Sequence, residues 1–173
     1  LDVGVIKPQD QASRGALHIY NNLVQKAWDA ARSIVILDPT QYPESVRVVW
    51  SKGYSVNPAS KSTFYDPSTR TLYVDGRPNA ALYGPDEWDD PVVNRAYGFA
   101  FAQAMGVLAN APGSADPCGL AASDSSAWNS GLATYFATYA QDLFGPGPSG
   151  FFDHGYDASG TSEMTIDLES GCV

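Results

Sequence analysis

VVNRAYGFAFAQAMG, at residues 92–106, is a mostly apolar stretch near the middle of the chain. Asp90 precedes it as a potential N-cap, and Pro91 occupies the first helical position, where its fixed backbone angle suits a helix. The run NAPGSADPCG at 110–119 cannot continue the helix because it contains two prolines and two glycines. The sequence therefore predicts a central helix from Asp90 to about Leu108 that is rich in Ala, Gly and aromatic residues.

The segments on either side of this helix predict an α+β domain. Before it, apolar residues recur at three- and four-residue steps over 13–36, which predicts a long N-terminal helix with Ser13 as its N-cap. VRVVW at 46–50 has the β-branched content of a buried strand, and a hairpin is expected around the turn Asp66-Pro67-Ser68-Thr69. The remaining predicted elements are hairpin strands at 62–65 and 70–75, a helix from Ser125 or Ser126 to about Phe144, a bend at 145–150 and a strand-like run at 164–168. With no repeat or linker, we expect one domain over residues 1–173.

Composition and charge restrict the classes of partner. The chain is 44% hydrophobic and 12% aromatic, which is enough apolar surface for a packed core. Its formal net charge is −9, and nucleic acid or an anionic membrane surface would need a basic patch instead. No run approaches the roughly 18 apolar residues of a membrane span. We therefore expect no nucleic-acid partner and no membrane insertion.

Two cysteines, Cys118 and Cys172, lie in Gly-flanked polar stretches far apart in the chain. This placement predicts one disulfide that ties the C-terminal tail to the segment after the central helix, and it indicates a secreted protein. Closing a loop of that length stabilises a fold by roughly 3 to 4 kcal/mol in the chain-entropy model. Two buried free thiols are the alternative.

The order of strand, helix and helix around the opening stretch resembles the catalytic core of zincin-type zinc peptidases. In these peptidases an edge strand precedes a helix with the motif H-E-x-x-H, and in the gluzincin branch the next helix supplies a Glu ligand within a pattern like W-x-x-E-G-x-A-x-Y-F. Here YDPSTRTLYVD at 65–75 resembles the edge strand. WNSGLATYF at 128–136 resembles the second pattern, with one residue fewer after the Trp and Ser130 in place of the Glu.

The first way to align the central helix sets RAYGF against H-E-Y-G-H. Tyr97 and Gly98 are kept, Arg95 and Phe99 stand at the two His positions, and Ala96 stands at the catalytic Glu. Neither Arg nor Phe can coordinate zinc, since Arg carries a permanent positive charge and Phe has no donor atom. This alignment implies a metallopeptidase-like fold that lacks its metal.

A second alignment uses the motif H-R-x-x-H of a family of secreted fungal proteins described as putative peptidases. NRAYG then keeps Arg95 and puts Asn94 and Gly98 at the His positions, while YFATYAQDLF at 135–144 resembles a helix that follows the motif in that family. Both alignments stay open at this point. In either of them the resemblance covers roughly residues 46–144 and implies that no zinc or other cofactor is bound.

The resemblance leads to the expectation of a secreted protein that binds a peptide or protein without cleaving it. Its ligand would add to the sheet edge in a cleft beside the central helix, and Arg95 could attract a carboxylate. The residues expected to line this cleft are Asn94, Arg95, Tyr97, Gly98, Phe99, Ser130 and the strand at 70–75. A structural or surface protein of unrelated α+β fold, in which the central helix is a plain core helix, is one alternative.

The other alternative is a hydrolase with a different catalytic set, built from the acids at 86–90 or around His154. Asp86, Glu87, Asp89 and Asp90 are otherwise explained as residues that cap the helix and complement its dipole. His18 is expected to be structural. His154 lies with Asp153 and Asp157 in a stretch that we expect to be a solvated loop, with cation binding as the alternative. No G-x-S-x-G or P-loop motif is present.

Overall fold

The computed structural model describes residues 10–34, 45–53, 63–77, 85–108, 123–143, 150–155, 162–167 and 171–172, the last three ranges by their backbone only. Its helices are α1 (Gln11–Asn21), a π-helical stretch (Asn22–Ala27), α2 (Trp28–Ile34), α3 (Asp90–Ala104) and α4 (Asp124–Asp142), with a 3₁₀ turn at Asp86–Trp88. Its strands are β1 (Arg47–Trp50), β2 (Phe64–Asp66), β3 (Thr71–Val74), β4 (Gly150–Gly155), β5 (Ser162–Asp167) and β6 (Gly171–Cys172). Helices combined with a small mixed sheet confirm the predicted α+β class.

The long N-terminal helix is confirmed, but its cap is not the predicted one. Asp10 is the N-cap, with an extended backbone and a carboxylate that accepts a hydrogen bond from the Ser13 backbone N–H at 2.7 Å. Ser13 lies inside the first turn and donates its hydroxyl to the same carboxylate at 2.7 Å. Asp10 is the better cap because its negative charge also interacts favourably with the helix dipole.

The first sheet has the strand order β1-β3-β2, with β1 parallel and β2 antiparallel to β3. The hairpin of β2 and β3 confirms the predicted turn, in which the Asp66 carboxylate accepts from the backbone N–H of Ser68 at 2.9 Å. The prediction of a buried strand at 46–50 was wrong, since Val48 is exposed on an edge of the sheet. The buried strand is β3, which lies in the middle and puts Leu72 and Val74 fully into the core.

The cap of the central helix is Asp89 rather than the predicted Asp90, and Asp90 is the first helical residue. The Asp89 carboxylate accepts from the backbone N–H of Val92 at 3.4 Å. Pro91 occupies the first turn as expected. The helix ends at Ala104, short of Leu108, because Gly106 turns the chain with a φ of +67°.

The last described helix, α4, starts at Asp124 and has Ser123 as its N-cap, so the predicted start at Ser125 or Ser126 was late by one or two residues. The Ser123 hydroxyl accepts from the backbone N–H of Ser126 at 3.2 Å. Asp124 then lies in the first turn, where a negative charge is favourable. The helix continues to Asp142, close to the predicted end.

A second antiparallel sheet, in the order β4-β5-β6, follows α4. The strand-like run at 164–168 overlaps β5, but β4 was not predicted, and its first residue, Gly150, lies where the bend was expected to end. His154 lies in β4 opposite Glu163, so the expectation of a loop there was wrong. Asp157 and Cys118 lie outside the described residues, as do most residues of the bend, and the side chain of Cys172 is not described, so the disulfide stays a prediction.

The core forms where α3 packs between α4, the first sheet and the N-terminal helix. On the α4 side, Gly98 allows a close approach, because a Cβ atom built on it would lie 3.0 Å from the Cα and carbonyl oxygen of Ala133. Next to this contact, the rings of Phe101 and Phe136 stack at 5.0 Å. None of the helices in the described part of the chain is long and apolar enough to cross a membrane.

Two helical glycines with opposite surroundings test this packing. Gly98→Ala puts a methyl group against the Ala133 backbone, whereas Gly131→Ala on α4 adds a methyl group that meets no atom within 4 Å. We expect Gly131→Ala to raise the free energy of unfolding by about 0.5 to 1 kcal/mol. Gly98→Ala should be less stable than Gly131→Ala by about 1 to 3 kcal/mol because of overpacking. Urea unfolding of the two variants measures the difference, and equal stabilities would contradict the close contact.

Candidate functional site

Arg95 connects the two helices that carry the motif-like residues. Its Nε atom donates a hydrogen bond to Oγ1 of Thr134 on α4 at 3.0 Å, and the Thr134 hydroxyl donates to the carbonyl oxygen of Ser130 at 2.9 Å. On α3 itself, the Arg95 guanidinium carbon lies 5.4 Å from the centroid of the Phe99 ring. The structure therefore brings Arg95, Phe99 and the Ser130 turn of α4 together.

Burial is the main feature that the sequence did not indicate at these positions. Arg95 is 5% exposed and Ser130 is 8% exposed, so both lie in the contact between α3 and α4 and not at an open surface. Tyr97 is buried too, and this burial raises the pKa of its hydroxyl to about 12. Tyr97 therefore stays protonated at neutral pH. Phe99 is the one residue of the predicted cleft on α3 that keeps partial exposure.

Asn94 occupies the first His position of the second alignment. Its side chain is fully buried, and neither its Oδ1 nor its Nδ2 atom has a hydrogen-bond partner in the described part of the chain. A buried amide without partners costs about 1 to 3 kcal/mol. The other His position of that alignment is Gly98, where the α4 backbone leaves little space for a side chain.

The strand at 70–75, expected to border the cleft, is the central strand of its sheet. Since β3 is paired on both sides, a ligand cannot add to it, and the edges among the described strands of this sheet are β1 and β2. The edge that adjoins α3 is β2, where the Tyr65 hydroxyl donates to the side-chain oxygen of Gln103. Gln103 in turn donates to the carbonyl oxygen of Pro67 at 3.1 Å. These bonds fix the hairpin against the C-terminal half of α3.

The four acids around the start of α3, which are Asp86, Glu87, Asp89 and Asp90, have separate partners. Only Asp89 caps the helix. Asp86 accepts from the backbone N–H and the hydroxyl of Thr63, at 3.1 and 2.7 Å. Glu87 is buried and accepts from the indole N–H of Trp50 at 3.3 Å, and burial raises the pKa of its carboxyl group. The expectation that all four serve the cap and dipole was therefore too simple, because Asp86 and Glu87 bind other parts of the fold.

Asp90, the fourth acid, binds the N-terminal helix. Its carboxylate lies 2.8 Å from Nε2 of His18 and pairs with the ammonium group of Lys26. Asn22 donates to its backbone carbonyl at 3.4 Å, and the ring of Trp88 lies 5.0 Å from that of His18. His18 thus has the expected structural role. Asn22 and Lys26 were not identified from the sequence. They follow His18 in two steps of four residues, and this spacing indicates one helix face.

The π-helical stretch helps the side chains of His18, Asn22 and Lys26 reach the same residue, Asp90. In an α-helix, residues four apart rotate by about 40° around the axis, so His18 and Lys26 would be about 80° apart. The stretch Asn22–Ala27 widens the turn, as shown by the bond from the Trp28 backbone N–H to the Leu23 carbonyl five residues before it. This widening offsets the rotation and keeps the His18 imidazole and the Lys26 ammonium group on Asp90.

The donor groups around α3 and α4 do not match a zinc site. Zinc needs imidazole, thiolate or carboxylate ligands, whereas the positions that the alignments single out carry Arg, Phe, Ser, Asn and Gly. Within the described ranges, no group of three or more His, Cys, Asp or Glu residues is placed to hold a metal ion.

Comparisons with models of protein families, with curated proteins and with solved structures found no match for this chain. The resemblance to zinc peptidases therefore stays an expectation from the quoted motifs, and the geometry of α3 and α4 stands independently of it. That geometry has a part that can be measured, which is the bond between Arg95 and Thr134.

Removal of the Thr134 hydroxyl tests this bridge. Thr134→Val keeps the side-chain shape but takes an acceptor from the buried guanidinium, so the free energy of unfolding should fall by about 1 to 3 kcal/mol. Thr138→Val is the matched control, because Thr138 is equally buried on the same helix and, among the described residues, donates to the Thr134 carbonyl alone. The free energy of unfolding of Thr138→Val should fall by less than about 1 kcal/mol. Equal losses in denaturant unfolding would show that the Arg95 bond contributes nothing.

Proposed function

We propose that this protein is a metallopeptidase-like domain without zinc that acts by binding an extended peptide segment of a ligand. The observation that carries this proposal is the bridge from Arg95 to Thr134, one turn after Ser130. It joins Arg95, which the first alignment sets against a His ligand, to α4 one turn beyond Ser130, which the motif resemblance sets against the Glu ligand. A guanidinium group can hold the helices together at this point, but it has no lone pair for a metal and cannot act as a general base.

The geometry favours the alignment of RAYGF with H-E-Y-G-H. Arg95 and Phe99 lie one turn apart in contact with each other, and Arg95 faces the Ser130 turn of α4. In the other alignment, Gly98 would replace a His at a point where even a methyl group is tight against Ala133. Zinc ligands from α3 and α4 need to converge, and this requirement supports Arg95 and Phe99 as the equivalent positions.

The burial of Arg95 changes its expected role in ligand binding. A side chain that is 5% exposed and bonded to Thr134 is poorly placed to receive a ligand carboxylate. We therefore assign Arg95 to the support of the site, where it holds α3 and α4 in register. The ligand contact is assigned to β2, the edge strand that is fixed against α3 through Tyr65 and Gln103. Strand addition there would supply main-chain hydrogen bonds without any metal.

Restoration of the missing ligands tests the scaffold. We expect the natural protein to bind no stoichiometric zinc and to show no chelator-sensitive cleavage of casein. Arg95→His with Phe99→His creates a two-ligand site, and addition of Ser130→Glu should raise its zinc affinity by at least about tenfold, because a third ligand comes from the facing helix. Addition of Thr138→Glu, from two turns further along α4, is the control and should give no gain.

Three results would count against the scaffold proposal. The first is stoichiometric zinc in the natural protein together with peptidase activity that a chelator abolishes. The second is an equal effect of Ser130→Glu and Thr138→Glu in folded variants. The third is a gain of zinc by the double variant Asn94→His/Gly98→His, which would favour the other alignment. Zinc is measured by titration calorimetry, and far-UV circular dichroism verifies the fold of each variant.

The site of strand addition has its own test. Twelve-residue peptides on an array identify a binder, and hydrogen exchange of the protein is then followed with and without that peptide. We expect slower exchange at Phe64–Asp66, because a peptide strand that pairs with β2 protects the N–H groups on its outer edge. Exchange at Arg47–Trp50, on the opposite edge, should stay the same and serves as the internal control. Protection at β1 alone would place the ligand on the wrong edge.

A further inference from the structure

The side of α4 that faces away from α3 carries a row of mostly aromatic side chains at a regular spacing. Its members follow each other at steps of four, three, four and three residues, which is the spacing of a coiled-coil seam. They are Trp128, Leu132, Tyr135, Tyr139 and Asp142, and we call this row the outer seam of α4. Leu132 and Tyr139 are half-buried, and Tyr139 also packs against the core. Trp128 and Tyr135 are each 56% exposed and lie two turns apart on the same side of the helix. The opposite side of the same helix packs against α3, so the outer seam is a second face.

Two members of the outer seam are held in place without a ligand. The indole N–H of Trp128 donates to the carbonyl oxygen of Val107 at 3.2 Å, which fixes the ring and leaves more than half of the side chain exposed. Tyr135 stacks on Tyr139 with a centroid distance of 6.4 Å, and Tyr139 is itself anchored by a hydrogen bond between its hydroxyl and that of Ser33 on α2 at 2.8 Å. Rigid aromatic side chains lose little entropy when they become buried in an interface. The outer seam is therefore preorganised for a partner.

Gly131 lies between Trp128 and Tyr135 on this face. It is exposed in the middle of α4, and a Cβ atom built on it would meet nothing within 4 Å. Glycine weakens a helix interior relative to alanine, so a reason for glycine is expected, and the packing within the described residues gives none. Close approach of another backbone is such a reason. In contrast, Gly98 on α3 has its reason inside the fold, at Ala133.

The charges on α4 specify what kind of partner fits. The helix contains Asp124 and Asp142 but no Lys, Arg or His, and the whole chain carries a net charge of −9. Asp142 is the last helical residue, where a negative charge opposes the helix dipole. A basic group from a partner would be attracted to this end. A second copy of the chain would bring acids against acids, and so self-association is disfavoured.

We propose that the outer seam of α4 binds a basic amphipathic α-helix of another protein. From Trp128 to Asp142 the seam runs for about 21 Å, which accommodates about four helical turns. The apolar side chains of the partner pack between Trp128 and Tyr135 over the bare backbone of Gly131, and its Lys or Arg residues lie near Asp142. This surface is separate from β2 and from the Arg95 bridge, and the proposal does not depend on the absence of zinc.

The probe for this surface is a synthetic 18-residue amphipathic helix of Leu and Lys, compared by calorimetry with a Leu and Glu peptide of the same pattern. We expect 1:1 binding of the Leu/Lys peptide and weaker or no binding of the Leu/Glu peptide. Trp128→Ala and Tyr135→Ala should each weaken binding about tenfold or more, as aromatic anchors of interfaces do. Tyr20→Ala removes an aromatic side chain that is 61% exposed on α1, and it should leave the affinity within about twofold.

Charge and backbone approach are tested separately. Asp142→Asn should weaken binding of the Leu/Lys peptide more than Asp29→Asn, which removes an exposed acid on α2. Gly131→Ala should raise Tm by about 1 to 4 °C and nevertheless weaken binding severalfold, since the added methyl group keeps the partner helix away.

Several outcomes would overturn the proposal. Equal effects of Trp128→Ala and Tyr20→Ala, or of Asp142→Asn and Asp29→Asn, would reduce the binding to a general attraction between opposite charges. An unchanged affinity in Gly131→Ala would remove the argument from close approach. A dimer that forms with rising protein concentration in sedimentation, and that Trp128→Ala abolishes, would identify a second copy of the chain as the occupant.

Discussion

Close packing of α3 against α4 fixes the centre of this fold. At Gly98 the two helix backbones come so close that the α4 side of the contact consists of the Ala133 backbone itself. This closeness places the Thr134 hydroxyl within reach of the Arg95 guanidinium, and the same contact stacks Phe101 on Phe136. Small residues and one buried charge therefore act together in the same contact.

A buried cation in such a contact has a cost as well as a benefit. Removal of a guanidinium group from water is unfavourable unless other interactions replace the water. For Arg95, Thr134 supplies a hydrogen bond and the ring of Phe99 supplies a cation–π contact. The neighbouring Asn94 is less well placed, because its buried amide has no partner among the described residues. Two polar side chains in consecutive positions of a core helix are hard to explain by packing alone.

Much of the fold could be predicted from local patterns, and the errors have identifiable physical causes. The helices and the first hairpin follow from periodicity and from turn residues such as Asp66. The cap of α3 was misplaced because Asp89 and Asp90 are locally equivalent, and the choice between them is made by His18 and Lys26 from a distant helix. The strand β4 was missed because Gly, Asp and His do not favour a strand, and only the pairing with β5 supplies its hydrogen bonds.

At the candidate site, the sequence indicated that Arg95 and Ser130 lie near each other but not that both are buried. The sequence brings Arg95 and Ser130 together through the motif resemblance, and the structure places them near each other through Thr134. Arg is rarely buried, so no local pattern indicates that Arg95 lies inside the helix contact. The central position of β3 depends on a parallel pairing with β1, which is also beyond local patterns.

The π-helical stretch makes the N-terminal helix unusually tolerant of a lost residue. An α-helix turns by about 100° per residue, so with one residue fewer between Asn22 and Lys26 a regular α-helix would set His18 and Lys26 seven positions apart and only about 20° apart around the axis. Both side chains would then still face Asp90. An added residue has no such release, and it would turn His18 away from Asp90 while Lys26 remained near it.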